Sequence, residues 1–163
     1  MKLLTLLLSF PVFALCQTTF VLPKDVQTKG YSLAIGEYIK TMKAKDKTSF
    51  DTVFLGKHED FPDITLPAEI ENTKIVILTN AEAEKKYASR KSIIFINMID
   101  DFTKDVCLFK LIVFKTEKLP EKINWWPIYN FNVSYYYDLN TKLFKLKTSK
   151  FEYSYSNKFT SKQ

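Results

Sequence analysis

Residues 131–155 read FNVSYYYDLNTKLFKLKTSKFEYSY and alternate apolar with polar side chains on both sides of a turn. A period of two is the period of a β-strand that buries one face. The first strand would bury one row of side chains, namely Phe131, Val133, Tyr135, Tyr137 and Leu139. Asp138 suits the first position of a type I turn. The stretch therefore predicts a β-hairpin, which limits the fold to classes that contain an antiparallel sheet.

The second strand of this hairpin separates apolar from charged side chains, with Phe144 and Leu146 on the buried face and Lys145 and Lys147 in water. Lysines on an edge strand discourage pairing with other sheets. The alternation slips between Thr148 and Phe151, which predicts a β-bulge or a strand end. Because aromatic residues suit a half-buried pleated surface, we interpret the aromatic richness as core packing rather than as a recognition surface.

Two further predicted strands, KSIIFINMI (91–99) and VCLFKLIVFK (106–115), are apolar on both faces. Strands of that kind are covered on both sides. One layer of helix covers one face. We therefore expect the second face to meet another layer, to surround a pocket or to join a partner chain.

The segment GYSLAIGEYIKTMKAKD (30–46) predicts an amphipathic helix, because its apolar residues recur at spacings of three and four: Tyr31, Ile35, Tyr38, Ile39 and Met42. Thr79 and Glu82 have capping-box spacing and would open a second, short and polar helix. We predict a strand in FDTVFLGKH (50–58) that ends at Gly56 and a second strand in TKIVILT (73–79). TTFVLPKDV would be an extended start, and TEKLPEKINWWP (116–127) an irregular connection.

These elements predict an α+β domain in which an N-terminal helix packs on a curved, mainly antiparallel sheet of about five to six strands, with one short extra helix. The order of elements over residues 28–155 resembles the cone folds of the SnoaL-like and nuclear-transport-factor kind and of the cystatin kind. The resemblance implies a curved sheet, and it assigns no site residue.

The opening MKLLTLLLSFPVFALCQ has one lysine followed by a short apolar segment, Leu3 to Leu15, which predicts a secretory signal peptide over residues 1–16. Residues 17–163 would then form a single α+β domain with a basic C-terminal tail. A chain that starts at Gln17 resembles small exported proteins of the Bacteroidota. We expect a periplasmic or secreted protein, or one anchored to a membrane by a lipid on Cys16.

The charge of the chain is concentrated at its C-terminal end. The formal net charge is +6, and residues 141–163 hold six lysines and one glutamate. An exported protein rarely meets nucleic acid, so we do not expect nucleic acid as a partner. The lysines would solubilise this end of the sheet or meet anionic polysaccharide or lipid head groups, and Cys16 would attach the chain to a membrane only if it is lipidated.

Several kinds of chemistry are excluded by the sequence. Three glycines in the whole chain, none of them in a phosphate-binding motif, exclude a Walker loop and a dinucleotide fingerprint. There is no Cys-x-x-Cys and no second histidine for a zinc site. Cys107 lies among apolar strand residues, which predicts a buried and unreactive thiol. We therefore expect no cofactor, no metal and no disulfide within the domain.

Four residues are candidates for ligand binding: Trp125, Trp126, His58 and Tyr136. The tandem tryptophans could stack on a ligand or fix the connection between hairpins against the core. His58 lies beside acidic residues in GKHEDFPD, which suits either an acid–base site or a solvated loop. Tyr136 lies next to the lysines of the hairpin.

The sequence favours a non-catalytic module that binds a small ligand or a partner of the cell envelope. The alternatives are a small hydrolase or isomerase-like enzyme with a pocket in the sheet, and a structural envelope protein that forms a homodimer through its sheet. The binding pocket would lie on the second apolar face of the central strands, near Trp125 and Trp126.

Overall fold

A computed structural model describes residues 22–45, 51–57, 64–87, 94–103, 106–118 and 123–153. Within these ranges the chain forms two helices, α1 (Lys24–Lys45) and α2 (Asn80–Tyr87). It also forms the strands β1 (Thr52–Lys57), β2 (Glu69–Ile70), β3 (Thr73–Thr79), β4 (Ile94–Phe102), β5 (Val106–Lys118), β6 (Ile123–Asp138) and β7 (Leu143–Tyr153).

The strands form one sheet in the order β2-β3-β1-β4-β5-β6-β7. The central strands β3, β1 and β4 are parallel neighbours. The other four pairings are antiparallel, so the sheet is mainly antiparallel and the predicted α+β class is confirmed. The sheet has seven strands, whereas the sequence predicted about five to six. The sequence did not reveal β2, because a strand of two residues is too short to show a period.

Helix α1 begins at Lys24, earlier than the predicted Gly30, so the extended start was predicted too long. The carbonyl of Pro23 accepts the first helical hydrogen bond, from the amide of Gln27 at 2.9 Å. A proline at a helix start costs nothing because its missing N–H would have no partner within the helix. Every residue of the predicted apolar stripe is buried: Tyr31, Ile35, Tyr38, Ile39 and Met42.

The core lies between α1 and the inner face of the sheet. The helix approaches β5 closely at Gly30, where an added Cβ would lie 2.4 Å from Cζ of Phe109. Two aromatic pairs pack edge to face between α1 and the sheet. Tyr31 packs on Phe109 with ring centroids 5.0 Å apart, and Tyr38 packs on Phe131 at 5.5 Å.

The outer face of the sheet is covered by α2 at one end, where Phe54, Leu78 and Ala83 are buried together. The predicted capping box is present, because the Thr79 amide donates to the Glu82 carboxylate at 2.7 Å and the Glu82 amide donates to the Thr79 hydroxyl at 3.2 Å. At this end the second apolar face therefore meets another layer. Further along β5 the outer side chains are half-buried: Val106, Leu108 and Ile112.

The hairpin of β6 and β7 buries and exposes its side chains largely as predicted. Buried are Phe131, Val133, Tyr135 and Tyr137. Lys145 and Lys147 are exposed. The prediction was wrong for Leu139, which lies in the turn and is 53% exposed, and for Leu146, which is 45% exposed. The Asp138 carboxylate holds this turn by accepting the amides of Asn140 and Thr141.

The predicted bulge of β7 is present but falls slightly earlier than expected. Tyr135 pairs with Leu146, whereas Ser134 pairs with Thr148, so Lys147 is the extra residue. After the bulge, Phe151 and Tyr153 pair with residues of the inner row of β6. The bulge therefore returns the aromatic side chains of β7 to the core side of the sheet.

The predicted connection over residues 116–127 is wrong, because β5 continues to Lys118 and β6 begins at Ile123. Pro127 pairs with Phe114 at the point where the register of the two strands shifts. A β-bulge accommodates a proline, which a regular ladder of hydrogen bonds excludes. Pro127 therefore does not end β6.

Candidate functional site

Trp125 and Trp126 lie in β6 and not in a loop. Their backbones pair with Thr116 and Lys115 of β5. The loop platform expected for a stacked ligand is therefore corrected to two adjacent positions of a strand. His58, the third candidate, lies outside the described residues.

Tyr136, the fourth candidate, is 47% exposed on the outer side of β6. Its neighbours across the sheet are Val106 and Lys145, and the ammonium of Lys147 lies 5.0 Å from its ring centroid. Along β6 it lies ten positions from Trp126, which is roughly 33 Å at the rise of a strand. The structure therefore does not bring Tyr136 and the tryptophans together around one small ligand.

A cleft of about 280 Å³ opens at a different place, which we call the α1–β7 cleft. Its lining comes from α1, from the turn between β2 and β3 and from the β6–β7 hairpin: Ser32, Leu33, Gly36, Glu37, Lys40, Glu71, Tyr135, Phe144 and Leu146. The helix residues among them lie on the side of α1 that faces away from Ile35 and Met42. The cleft is therefore floored by the outer side of a helix whose inner side fills the core.

The two outermost strands of the sheet reach α1 from opposite sides of this floor. On one side a Cβ added to Gly36 would lie 3.4 Å from Cγ2 of Ile70, next to the β2–β3 turn. On the other side the hydroxyl of Ser149 in β7 donates to the carboxylate of Glu37 at 3.0 Å. Gly36 and Glu37 are adjacent, so the cleft lies between two sheet edges that both contact one turn of helix.

Charged side chains hold the β2–β3 edge of the cleft. Lys40 Nζ lies 3.1 Å from Oε1 of Glu71, and Lys43 Nζ donates to the Glu71 carbonyl at 2.7 Å. Glu71 and Asn72 have positive φ values of 50° and 55°, which this tight turn requires. The ion pair is exposed, so it positions the turn without adding much stability.

The opposite wall of the cleft is apolar and partly open to solvent. Leu33 on α1 is 39% exposed and Leu146 on β7 is 45% exposed, although both carry large apolar side chains. Phe144 lies beside them, half-buried against Tyr137 at a centroid distance of 4.7 Å. Ligand-binding sites are concave and mostly apolar with a few polar groups, and the cleft has this composition.

Tyr135 of β6 also lines the cleft and is 5% exposed. Burial, and then the nearby Glu37 carboxylate, raise the pKa of the Tyr135 hydroxyl well above its usual range. The hydroxyl is therefore protonated at all physiological pH values. Together Tyr135 and Glu37 give the apolar cleft a neutral donor and a charged acceptor.

The sequence did not indicate these residues as a site. Leu33 interrupts the polar side of α1, and Leu146 was expected on the buried face, so only the exposure of both identifies them. Their meeting depends on contacts such as that of Glu37 with Ser149, which are far apart in the chain. The periodicity of side chains within one helix or strand contains no information about such a contact.

The part of the chain that the structure describes holds no group of three or more His, Cys, Asp and Glu side chains placed to bind a metal ion. Within the same residues no helix has the length and apolar character to cross a membrane.

Comparison with known proteins gives this chain no relative: no protein-family model matches it, and no curated protein or solved structure is significantly similar to it.

Proposed function

We propose that the protein is an exported, non-catalytic binding module that takes its ligand or partner in the α1–β7 cleft. The observation that carries this proposal is the pair of exposed leucines, Leu33 and Leu146, that line the same concave surface. Burying two such side chains under a ligand would stabilise a complex at roughly 25 cal/mol for each Å² removed from water. Glu37, Lys40 and the Tyr135 hydroxyl would orient the ligand.

A curved sheet, of the kind implied by the cone folds, is part of this proposal. In a flat sheet, six inter-strand spacings of about 4.8 Å would separate β2 from β7 by roughly 29 Å. Both edges contact neighbouring residues of α1, a helix about 10 Å wide with its side chains. Curvature around α1 accounts for both contacts and leaves the cleft as the gap between the edges.

Export is proposed on the apolar segment from Leu3 to Leu15, with Gln17 as the first residue of the processed chain or a lipid on Cys16. The intact mass of the protein recovered from its native envelope distinguishes these forms. A recovered mass that includes residues 1–14 would contradict the proposed location.

The binding proposal is tested with the full chain carrying ¹³C-labelled leucine methyl groups. Small organic compounds and short peptides are added, and the Leu33 and Leu146 methyl signals are followed by NMR. We expect ligands to shift both signals. Leu33→Arg should abolish these shifts at Leu146 because the arginine fills the cleft, and Leu139→Arg is the matched control at an exposed leucine in the β6–β7 turn.

Ligands that shift the Leu108 methyl signal on the outer face and leave Leu33 unchanged would contradict the proposed cleft. They would support the homodimer or pocket that the second apolar face suggests. Turnover of an added compound would instead support the alternative of a small hydrolase or isomerase-like enzyme. Self-association through the outer face would support a structural envelope protein.

A further inference from the structure

The edge strand β7 runs along α1 and lines the α1–β7 cleft with its first residues. Leu146 lines the cleft together with Leu33, the Ser149 hydroxyl donates to the Glu37 carboxylate, and the ring of Phe151 lies under Lys45, whose ammonium is 3.7 Å from the centroid. The strand therefore runs beside the helix in the same direction. Within the described residues β7 pairs with β6 alone, so its other side presents backbone amides and carbonyls towards the gap.

A further strand beside β7 would lie over the outer side of α1. The two sheet edges contact adjacent residues of this helix, Gly36 and Glu37, and the helix is about 10 Å wide with its side chains. Hydrogen-bonded strands lie about 4.8 Å apart, so one strand inserted between two others would separate those two by about 10 Å. Edge strands accept extended peptides in this way in many binding domains.

The side chains of β7 define the chemistry of such a segment. Towards α1 the strand presents apolar groups, Phe144, Leu146 and Phe151. On its outer side lie Lys145 and Lys150, and the whole strand contains three lysines and one glutamate. Because side chains that are neighbours across strands interact directly, the complementary segment is apolar at alternate positions and acidic at the positions between.

We infer that an extended acidic segment of a partner protein adds to β7 as a further strand over α1 and places its apolar side chains in the cleft. This inference rests on the binding function proposed above and names the ligand of the same site. A second copy of this chain is disfavoured as the occupant, since two β7 strands with a net charge of +2 each would face one another. Like charges in adjacent positions destabilise strand pairing.

The test uses the full chain as bait for a displayed library of random ten-residue peptides. We expect the selected peptides to alternate apolar residues with Asp or Glu, and their affinity to fall as salt is raised. The best peptide is then synthesised in two forms, with either the odd or the even amides N-methylated. Alternate amides of a strand point to opposite sides, so one form should lose binding and the other should keep it.

Three variants of the protein, one of them a control, complete the test by fluorescence anisotropy. Lys145→Glu should weaken binding of the acidic peptide about tenfold by repulsion, and Lys85→Glu on α2 is the matched control that should leave it unchanged. Leu146→Glu should abolish binding because it places a charge in the apolar wall. Thermal denaturation checks that each variant is folded.

Selection of basic or helical peptides, failure to select any peptide, or equal binding by both methylated forms would overturn the inference. If ligands still shift the Leu33 and Leu146 methyl signals in that case, the proposed binding function stands and the strand partner alone is wrong. If the chain forms a dimer that Lys145→Glu alters, the β7 edge belongs to a second copy of the chain. If the outward β7 amides are fully protected from hydrogen exchange in the unbound chain, the edge is covered by another segment of the same chain.

Discussion

Tyr135 shows how one residue of an aromatic strand serves the core and the cleft together. Its ring packs edge to face on Phe109 at 6.0 Å and on Phe144 at 5.8 Å. The same residue lines the α1–β7 cleft. The alternation of the sequence predicted the buried ring, since burial follows from the strand period. It could not predict the cleft, since Glu37 comes from a distant helix.

Replacing Tyr135 by Ala should destabilise the fold strongly. Removal of a large buried aromatic side chain costs about 3–5 kcal/mol through lost burial and the cavity that it leaves. Lys145→Ala, at an exposed position on the same hairpin, should change the free energy of unfolding by less than about 0.5 kcal/mol. Urea denaturation measures both. An unchanged stability for Tyr135→Ala would show that this aromatic row is a recognition surface instead.

The thiol of Cys107 should be unreactive in the folded protein. Cys107 is 2% exposed, and burial raises its pKa from the ordinary 9.0 to about 11. The reactive thiolate is therefore nearly absent at pH 8, and the reagent cannot reach the sulfur. In a Cys16→Ser chain, reaction with a disulfide reagent should be slow in native buffer and fast in denaturant.

Fast labelling of Cys107 under native conditions would contradict its place among the core residues of β5. The control is the same chain in which Cys107 is also replaced by Ser. That chain should not react under either condition, which confirms that the measured signal comes from this one thiol.

At the scale of elements, the sequence predicted those whose signal is local. The stripe of α1, the capping box of α2 and the alternation of the hairpin all follow from residues within a few positions of one another. It failed where the decisive contact is distant. The strand β2 exists through its pairing with β3, and Trp125 joins a strand because β5 continues opposite to it.

The approach of α1 to the sheet gives a prediction about its two glycines. Glycine to alanine usually stabilises a helix interior by about 1 kcal/mol. At Gly30 the added Cβ would lie 2.4 Å from Cζ of Phe109, which is in the middle of the core. We expect Gly30→Ala to destabilise the protein by about 1–3 kcal/mol, the range for overpacked cores.

Gly36→Ala is the matched control on the same helix. Its Cβ would meet Ile70 at 3.4 Å and Glu71 at 3.5 Å, which the exposed turn can accommodate by a small movement. We expect its effect on the free energy of unfolding to be within about 1 kcal/mol. Urea denaturation of both variants compares the two sites. Equal stabilities would show that α1 does not rest on Phe109 at Gly30.

Over its described residues the molecule combines a seven-stranded sheet with a central helix, and burial favours the protonated form of several groups in its core. Burial raises the pKa of the Tyr38 hydroxyl, which lies 3.2 Å from that of Tyr129. The pKa values of Tyr135 and Cys107 are raised for the same principal reason. In the unfolded chain these groups titrate at their ordinary values, 10.0 for tyrosine and 9.0 for cysteine.

These raised pKa values predict a loss of stability in alkali. Above about pH 9 the unfolded chain releases protons that the folded chain retains, so the unfolded state binds fewer protons and the free energy of unfolding falls as pH rises. Urea midpoints measured between pH 8 and pH 10.5 should therefore decrease. Tyr135→Phe removes one of the titrating hydroxyls while it keeps the ring, so its midpoints should fall less steeply with pH. Identical slopes for the two proteins would mean that the Tyr135 hydroxyl ionises in the fold as easily as in the unfolded chain, which its burial beside Glu37 contradicts.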